Sequence, residues 1–215
     1  MTHRADCWLK PQGPESSLSN IDLHPNSLSP HRYTTPMRRT STLFLGQPSS
    51  PSTLLAAVGG DSAGGHLSAV VSLRARDDGY PSPAAQLLIY PATDFHERRP
   101  SRTTFGEGFF LTEANMNFYE RSFLGENSDR LDPWVSPLRA QSHNDLPPAI
   151  VVTAGFDPLR DEGEAYAQLL RDNGVRVVAR RYPGFIHGFV NVLGPSARSR
   201  SAVVEIGGML RALLS

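Results

Sequence analysis

The chain has 215 residues, room for one domain of ordinary size with its own core. Its 21 basic and 21 acidic residues balance, so charge gives no reason to expect nucleic acid or a membrane surface as partner. A single cysteine, Cys7, excludes an internal disulfide, and no run of about 18 apolar residues is present to span a bilayer. The first 30 residues lack the apolar stretch of a secretory signal, so a cytoplasmic location is expected.

Residues 1–52 are dense in Ser, Pro, Thr and Arg, as in Gly13-Pro14-Glu15-Ser16-Ser17 and Ser49-Ser50-Pro51-Ser52. Apolar residues there occur singly and follow neither a strand nor a helix period. Such a segment buries too little to offset its ordering entropy, so it reads as disordered or low-complexity. From residue 53 onward the text is that of a folded domain. Leu54-Leu55-Ala56-Ala57-Val58 predicts a buried strand ending at Gly59-Gly60. Leu67, Val70, Val71 and Leu73 follow at helical spacing, stopped near Asp78-Gly79. Gln86 to Tyr90 predicts a second strand, closed by Pro91. Thr112 opens and Gly125 ends a helix marked by Met116, Tyr119 and Phe123. Ala149 to Thr153 predicts a third strand, and Glu162 to Asn173 a helix stopped by Gly174. Arg176 to Tyr182 predicts a fourth strand, alternating enough to lie at an edge. Val203, Ile206, Leu210 and Leu213 line one face of a last helix. Apolar strands that alternate with helices predict the α/β class, with a mostly parallel sheet flanked by helices.

Gly60-Asp61-Ser62-Ala63-Gly64 fits G-x-S-x-G, and it falls between a predicted strand and a predicted helix, the context that motif needs. A serine on so tight a turn leaves no room for side chains two residues away on either side, which explains Gly60 and Gly64; Gly65 extends the run. The turn exposes the Ser62 hydroxyl and directs the Ala63 backbone N–H, at a helix N-terminus, toward a developing oxyanion. The Gly-Asp-Ser-Gly-Gly element of trypsin-like proteases is excluded: Ala63 is inserted, a helix follows, and the His and Asp residues upstream lie in the disordered-looking segment.

A serine hydroxyl needs a base. Asp157 and His187 each follow a predicted parallel strand, and Ser62 does too, so all three are expected at the carboxyl rim where open α/β sheets place their sites. In the resulting scheme His187 takes the Ser62 proton, and Asp157 fixes the tautomer of His187 and stabilises its imidazolium. Asp94, also at a strand end, is the runner-up acid. Asp161, Glu162 and Glu164 read as residues complementing a helix dipole. His66, His96 and His143 read as surface or loop residues. No metal-ligand spacing occurs, so neither metal nor cofactor is expected.

Gly59 to Gly65, Asp157-Pro158-Leu159-Arg160-Asp161-Glu162-Gly163 and Gly184-Phe185-Ile186-His187-Gly188-Phe189 resemble the hormone-sensitive-lipase-like esterases, the α/β-hydrolase fold-3 group. Leu88-Ile89-Tyr90-Pro91 and Ser136-Pro137-Leu138 are similar as well. The resemblance implies an α/β-hydrolase catalytic domain over 53–215, hydrolysis of small-molecule carboxylic esters with short to medium acyl chains, and Ser62, Asp157 and His187 at the family's triad positions. It also implies a lid over the acyl pocket at about 95–138, with Phe109, Phe110, Met116, Tyr119 and Phe123, and it allows a homodimer. By packing alone that aromatic stripe reads as core. The family's His-Gly-Gly-Gly stretch, which supplies most of the oxyanion hole, has no match here. Its first sheet strands have none either, so an N-terminal truncation or frame shift is expected. The alternative function is a non-catalytic remnant of an esterase; a peptidase of the same fold is a third option, separable by testing an amide against the matching ester.

Overall fold

A computed structural model describes residues 56–125 and 128–215. The expected disordered segment 1–52, with Leu54 and Leu55, lies outside the described residues. Four strands, β1 (Val58–Asp61), β2 (Gln86–Ile89), β3 (Ala149–Phe156) and β4 (Val177–Ile186), form one parallel sheet in the order β1-β2-β3-β4. The helices are α1 (Ala63–Asp77), α2 (Pro100–Thr104), α3 (Glu113–Leu124), α4 (Arg160–Asp172) and α5 (Ala197–Leu214).

Period-two alternation along β3 sorts the core into two faces. Val151 joins Leu88, Ala69 and Leu73 of α1, and Tyr166, Ala167 and Leu170 of α4. Ile150, Val152 and Ala154 join Tyr90, Tyr182 and Phe189 and the α5 residues Ala202, Ile206, Leu210 and Leu213. The sheet is thus sandwiched between α1 and α4 on one side and α5 on the other, which is why β3 is apolar on both faces. Among the described residues no helix is long and apolar enough to cross a membrane.

Several expected boundaries shift. β1 does not end at the glycines; it begins at Val58 and runs through Gly59 and Gly60 to Asp61, held by the ladder to β2. β4 continues past Tyr182, where the fourth strand is expected to end, to Ile186. It pairs only with β3 among the described strands, and edge strands and irregularities are where a sheet tolerates proline. The β3–β4 register shifts between Ala154 and Phe156. At that irregularity a Cβ on Gly155 would lie 2.2 Å from the Pro183 carbonyl oxygen, so only glycine lets the strands approach.

The aromatic stripe of 95–138 is core only in part: Met116 is buried, while Phe110 and Tyr119 are exposed. α3 turns Met116, Glu120 and Leu124 inward at four-residue spacing. That places Tyr119 outward, 59% exposed, and Phe110, ahead of the helix, is 70% exposed. The helix itself begins and ends as expected. Thr112 Oγ1 accepts the Asn115 N–H, Asn115 Oδ1 accepts the Thr112 N–H, and Gly125 closes it.

Candidate active site

β1 delivers the chain to Ser62 and α1 leaves from Ala63, so one residue makes the whole turn. Its backbone is in the left-handed region, φ 54° and ψ −116°. Such a conformation costs on the order of 1–3 kcal/mol in a non-glycine residue and persists only where neighbours enforce it. They do so here: the Ser62 N–H donates to the Ile89 carbonyl at 2.9 Å, and its own carbonyl accepts the His66 N–H at 3.0 Å. The glycines are required by contact. A Cβ on Gly60 would sit 2.5 Å from the Gly64 carbonyl carbon, and one on Gly65 would sit 2.9 Å from Pro91 Cβ. Ala63 is the first residue of α1, so its N–H has no partner within the helix and lies at the positive end of the helix dipole.

Asp157 follows β3 and is fully buried; His187 follows β4 and is buried as well. His187 Nδ1 lies 2.8 Å from Asp157 Oδ2, and Nε2 lies 2.9 Å from Ser62 Oγ. Asp157 Oδ1 accepts the Leu159 N–H at 2.8 Å, which fixes the carboxylate. An ionised carboxylate can only accept, so Nδ1 must carry the proton and Nε2 presents its lone pair to the Ser62 hydroxyl. The structure therefore joins Ser62, His187 and Asp157 into one hydrogen-bonded chain across 125 residues of sequence.

The runner-up acid belongs to another network. Asp94 accepts from Arg139 Nη2 at 2.5 Å and Nε at 3.2 Å, and from the His96 N–H at 3.0 Å. His96 is exposed, as expected, but His66 and His143 are buried, contrary to expectation. His66 Nε2 is 3.0 Å from the Val135 carbonyl, and its ring meets Phe95 and Phe123 edge-on. Burial pulls its pKa down to about 4, against the raising effect of its backbone hydrogen bonds. His143 binds the Pro137 carbonyl at 2.8 Å and packs on Tyr166.

Glu162 also departs from its expected surface role. Its buried carboxylate accepts the Thr93 N–H at 2.7 Å, and burial pushes its pKa up to about 8. Asp161 instead ties α4 to α2, accepting the Ser101 N–H at 2.8 Å, and Glu164 binds Thr153 Oγ1 at 2.9 Å and pairs with Arg181. A cavity of about 400 Å³ between α4 and β3–β4, lined by Glu164, Gln168, Arg171 and Arg181 among others, contains none of Ser62, Asp157 or His187.

Two residues beside the hydrogen-bonded chain were not singled out by sequence. The Tyr90 ring lies 4.5 Å from the His187 ring, and the Asn191 amide reaches Asp61. The one signal available was position: Tyr90 closes a strand at the same rim, and Asn191 stands four residues beyond His187.

Comparison with known proteins bears on the family and the fold. A family model described as alpha/beta hydrolase fold matches residues 51–191. The carboxylic ester hydrolase LipN of Mycobacterium tuberculosis is 46% identical over 164 residues, 74% of this chain and 44% of the relative. An arylesterase of Saccharolobus solfataricus is 38% identical over 153 residues, 71% of this chain and 49% of the relative. Among solved structures, the carboxylesterase EstE1 from a metagenomic library superposes with TM-score 0.70 at 40% identity, covering 74% of this chain and 55% of that one. A hyperthermophilic esterase from Pyrobaculum calidifontis gives TM-score 0.68 at 42% identity, over 74% and 52%. The chain spans about half the length of the curated relatives it matches. Strand order, elbow geometry and these matches together place the chain in the α/β-hydrolase fold-3 family.

Proposed function

We propose that this chain hydrolyses small carboxylic esters through an acyl-enzyme on Ser62. The carrying observation is the pair of hydrogen bonds that His187 makes, to Ser62 Oγ at 2.9 Å and to Asp157 at 2.8 Å. His187 Nε2 takes the hydroxyl proton as Ser62 Oγ attacks the ester carbonyl, and returns it to the leaving alcohol. Water then attacks the acyl-enzyme by the same route, regenerating Ser62. Asp157 holds the imidazole in the productive tautomer and offsets its charge. The Ala63 N–H is one donor for the oxyanion; each such donor is worth on the order of 10²–10³ in turnover.

The segment 95–138 serves as the lid. Three features support that reading. Phe110 packs over Gly188, next to His187, so closely that a Cβ there would lie 3.2 Å from the Phe110 ring. Phe109 stacks on Phe156, the residue before Asp157, with ring centroids 5.4 Å apart. The base of the segment is pinned to the start of α4 by Ser101, whose hydroxyl donates to the Pro158 carbonyl at 2.8 Å.

A fluorophosphonate probe tests the nucleophile directly. The expected result is covalent labelling at Ser62, abolished in Ser62→Ala and strongly slowed in His187→Ala. Folded protein that takes up no label would move the function to the non-catalytic reading.

A further inference from the structure

Tyr90 is buried completely yet sits at φ +36°, unusual for an aromatic residue. Its backbone is clamped at the end of β2 by an N–H bond to the Val152 carbonyl at 2.6 Å. From there the side chain does two things. Its ring faces the His187 imidazole at 4.5 Å, tilted by 52°. Its hydroxyl donates to Asp61 Oδ2 at 3.1 Å. The Asn191 amide donates to the same oxygen at 2.9 Å and stands 3.5 Å from the Tyr90 hydroxyl.

Asp61 immediately precedes Ser62, and Asn191 lies on the turn just past His187. One carboxylate oxygen therefore ties the nucleophile's turn to the base's turn, without using any atom of the Ser62–His187–Asp157 chain. Both nitrogens of His187 are bound along the ring edge, so the motion left to the ring is tilting out of plane. The Tyr90 ring blocks one face against that tilt. Behind it, Phe189 packs edge-on at 5.5 Å and keeps Tyr90 from yielding. Burial, and then the Asp61 carboxylate, hold the Tyr90 hydroxyl protonated far above its ordinary range, so it acts as a donor and not as a proton relay.

We propose that Tyr90 is a positioning residue that keeps Ser62 and His187 in register, through a hydrogen-bond node on Asp61 that Asn191 completes. The proposal rests on the esterase reading above for its kinetic consequences only. Its structural content is independent of turnover. Small displacements between reacting groups are costly, with about 1 Å worth on the order of 10² in rate.

The test uses the full chain with Tyr90→Phe, Tyr90→Leu, Asp61→Ala and Asp61→Asn. Three readouts are needed: kinetics on p-nitrophenyl butyrate, the downfield proton resonance of His187 Nδ1–H, and the thermal midpoint. Asp61→Ala should lower kcat by about tenfold while KM stays within twofold. Asp61→Asn keeps an oxygen for both donors and should recover most of the loss. Tyr90→Phe should keep the downfield resonance, and Tyr90→Leu should broaden or abolish it and lower kcat by roughly 10². A kcat per folded molecule equal to the parent's in Tyr90→Leu or in Asp61→Ala, or an intact resonance in Tyr90→Leu, would overturn the proposal. Should Tyr90→Leu not fold, the Asp61→Ala and Asp61→Asn pair decides. A parent chain without turnover or labelling would sink the esterase reading, and the resonance alone would then decide on Tyr90. A parent lacking that resonance would overturn the His187–Asp157 geometry and this proposal with it.

Discussion

Acidification should weaken the fold through His66. In the folded chain its ring is enclosed by Phe95 and Phe123, and its Nε2 is spent on the Val135 carbonyl. Protonation would put a charge where water is excluded, and this burial takes the pKa from 6.5 down to about 4. A histidine with a depressed folded pKa contributes stability that is complete above the unfolded value of 6.5. That contribution is lost as pH falls from 6.5 toward 4, because there the unfolded chain binds the extra proton. At about 1.4 kcal/mol per pH unit, going from pH 7.5 to 4.5 costs about 2.5 kcal/mol through this one group. The comparison to make is urea unfolding of the parent and of His66→Gln at both pH values. Gln keeps an N–H donor for Val135 but cannot titrate. The variant should be the less stable at pH 7.5, having lost ring packing, and the gap should close or invert by about 2.5 kcal/mol at pH 4.5. Parallel pH dependences in the two proteins would refute the reasoning.

Glu162 should act with the opposite sign. Its pKa is raised from 4.5 to about 8, so its neutral form is favoured by folding. The stability this lends is complete below pH 4.5 and lost as pH rises through 8. Relative to the parent, Glu162→Gln should gain about 3 kcal/mol between pH 5 and pH 7.5 in the same unfolding assay; a constant difference would count against it. Gly60→Ala should destabilise by at least about 2 kcal/mol in chemical unfolding, because its Cβ would strike the Gly64 backbone at 2.5 Å. An unchanged midpoint would mean the elbow is looser than described.

The parts of this molecule that were legible in the sequence are those set by local chemistry. A strand, a glycine-flanked serine and a helix are contiguous, so the Ser62 elbow could be read directly. Thr112 and Gly125 bracket α3 because capping is a matter of a few adjacent residues. The convergence of Asp157 and His187 followed from both ending parallel strands. What escaped reading is non-local. His66 and Glu162 look like helix-surface residues until one sees that Val135, 69 residues from His66, and Thr93, 69 residues from Glu162, cover them. The fourth strand reads as ending at Tyr182 because nothing local announces that it runs on through Pro183-Gly184 and presses on Gly155. Met116 and Tyr119 share a spacing, yet one is buried and the other exposed, since which face of α3 is covered depends on partners elsewhere in the chain. Tyr90 reads as a strand residue because a hydrogen bond to Asp61 and a ring contact with His187 leave no periodic trace.

Turnover of p-nitrophenyl acetate and butyrate by the purified chain, with Ser62→Ala alongside, tests the central claim most directly. The account predicts hydrolysis of both esters by the parent and none above background by the variant. Folded parent protein that turns over neither ester, or a Ser62→Ala variant that hydrolyses them as fast, would contradict it.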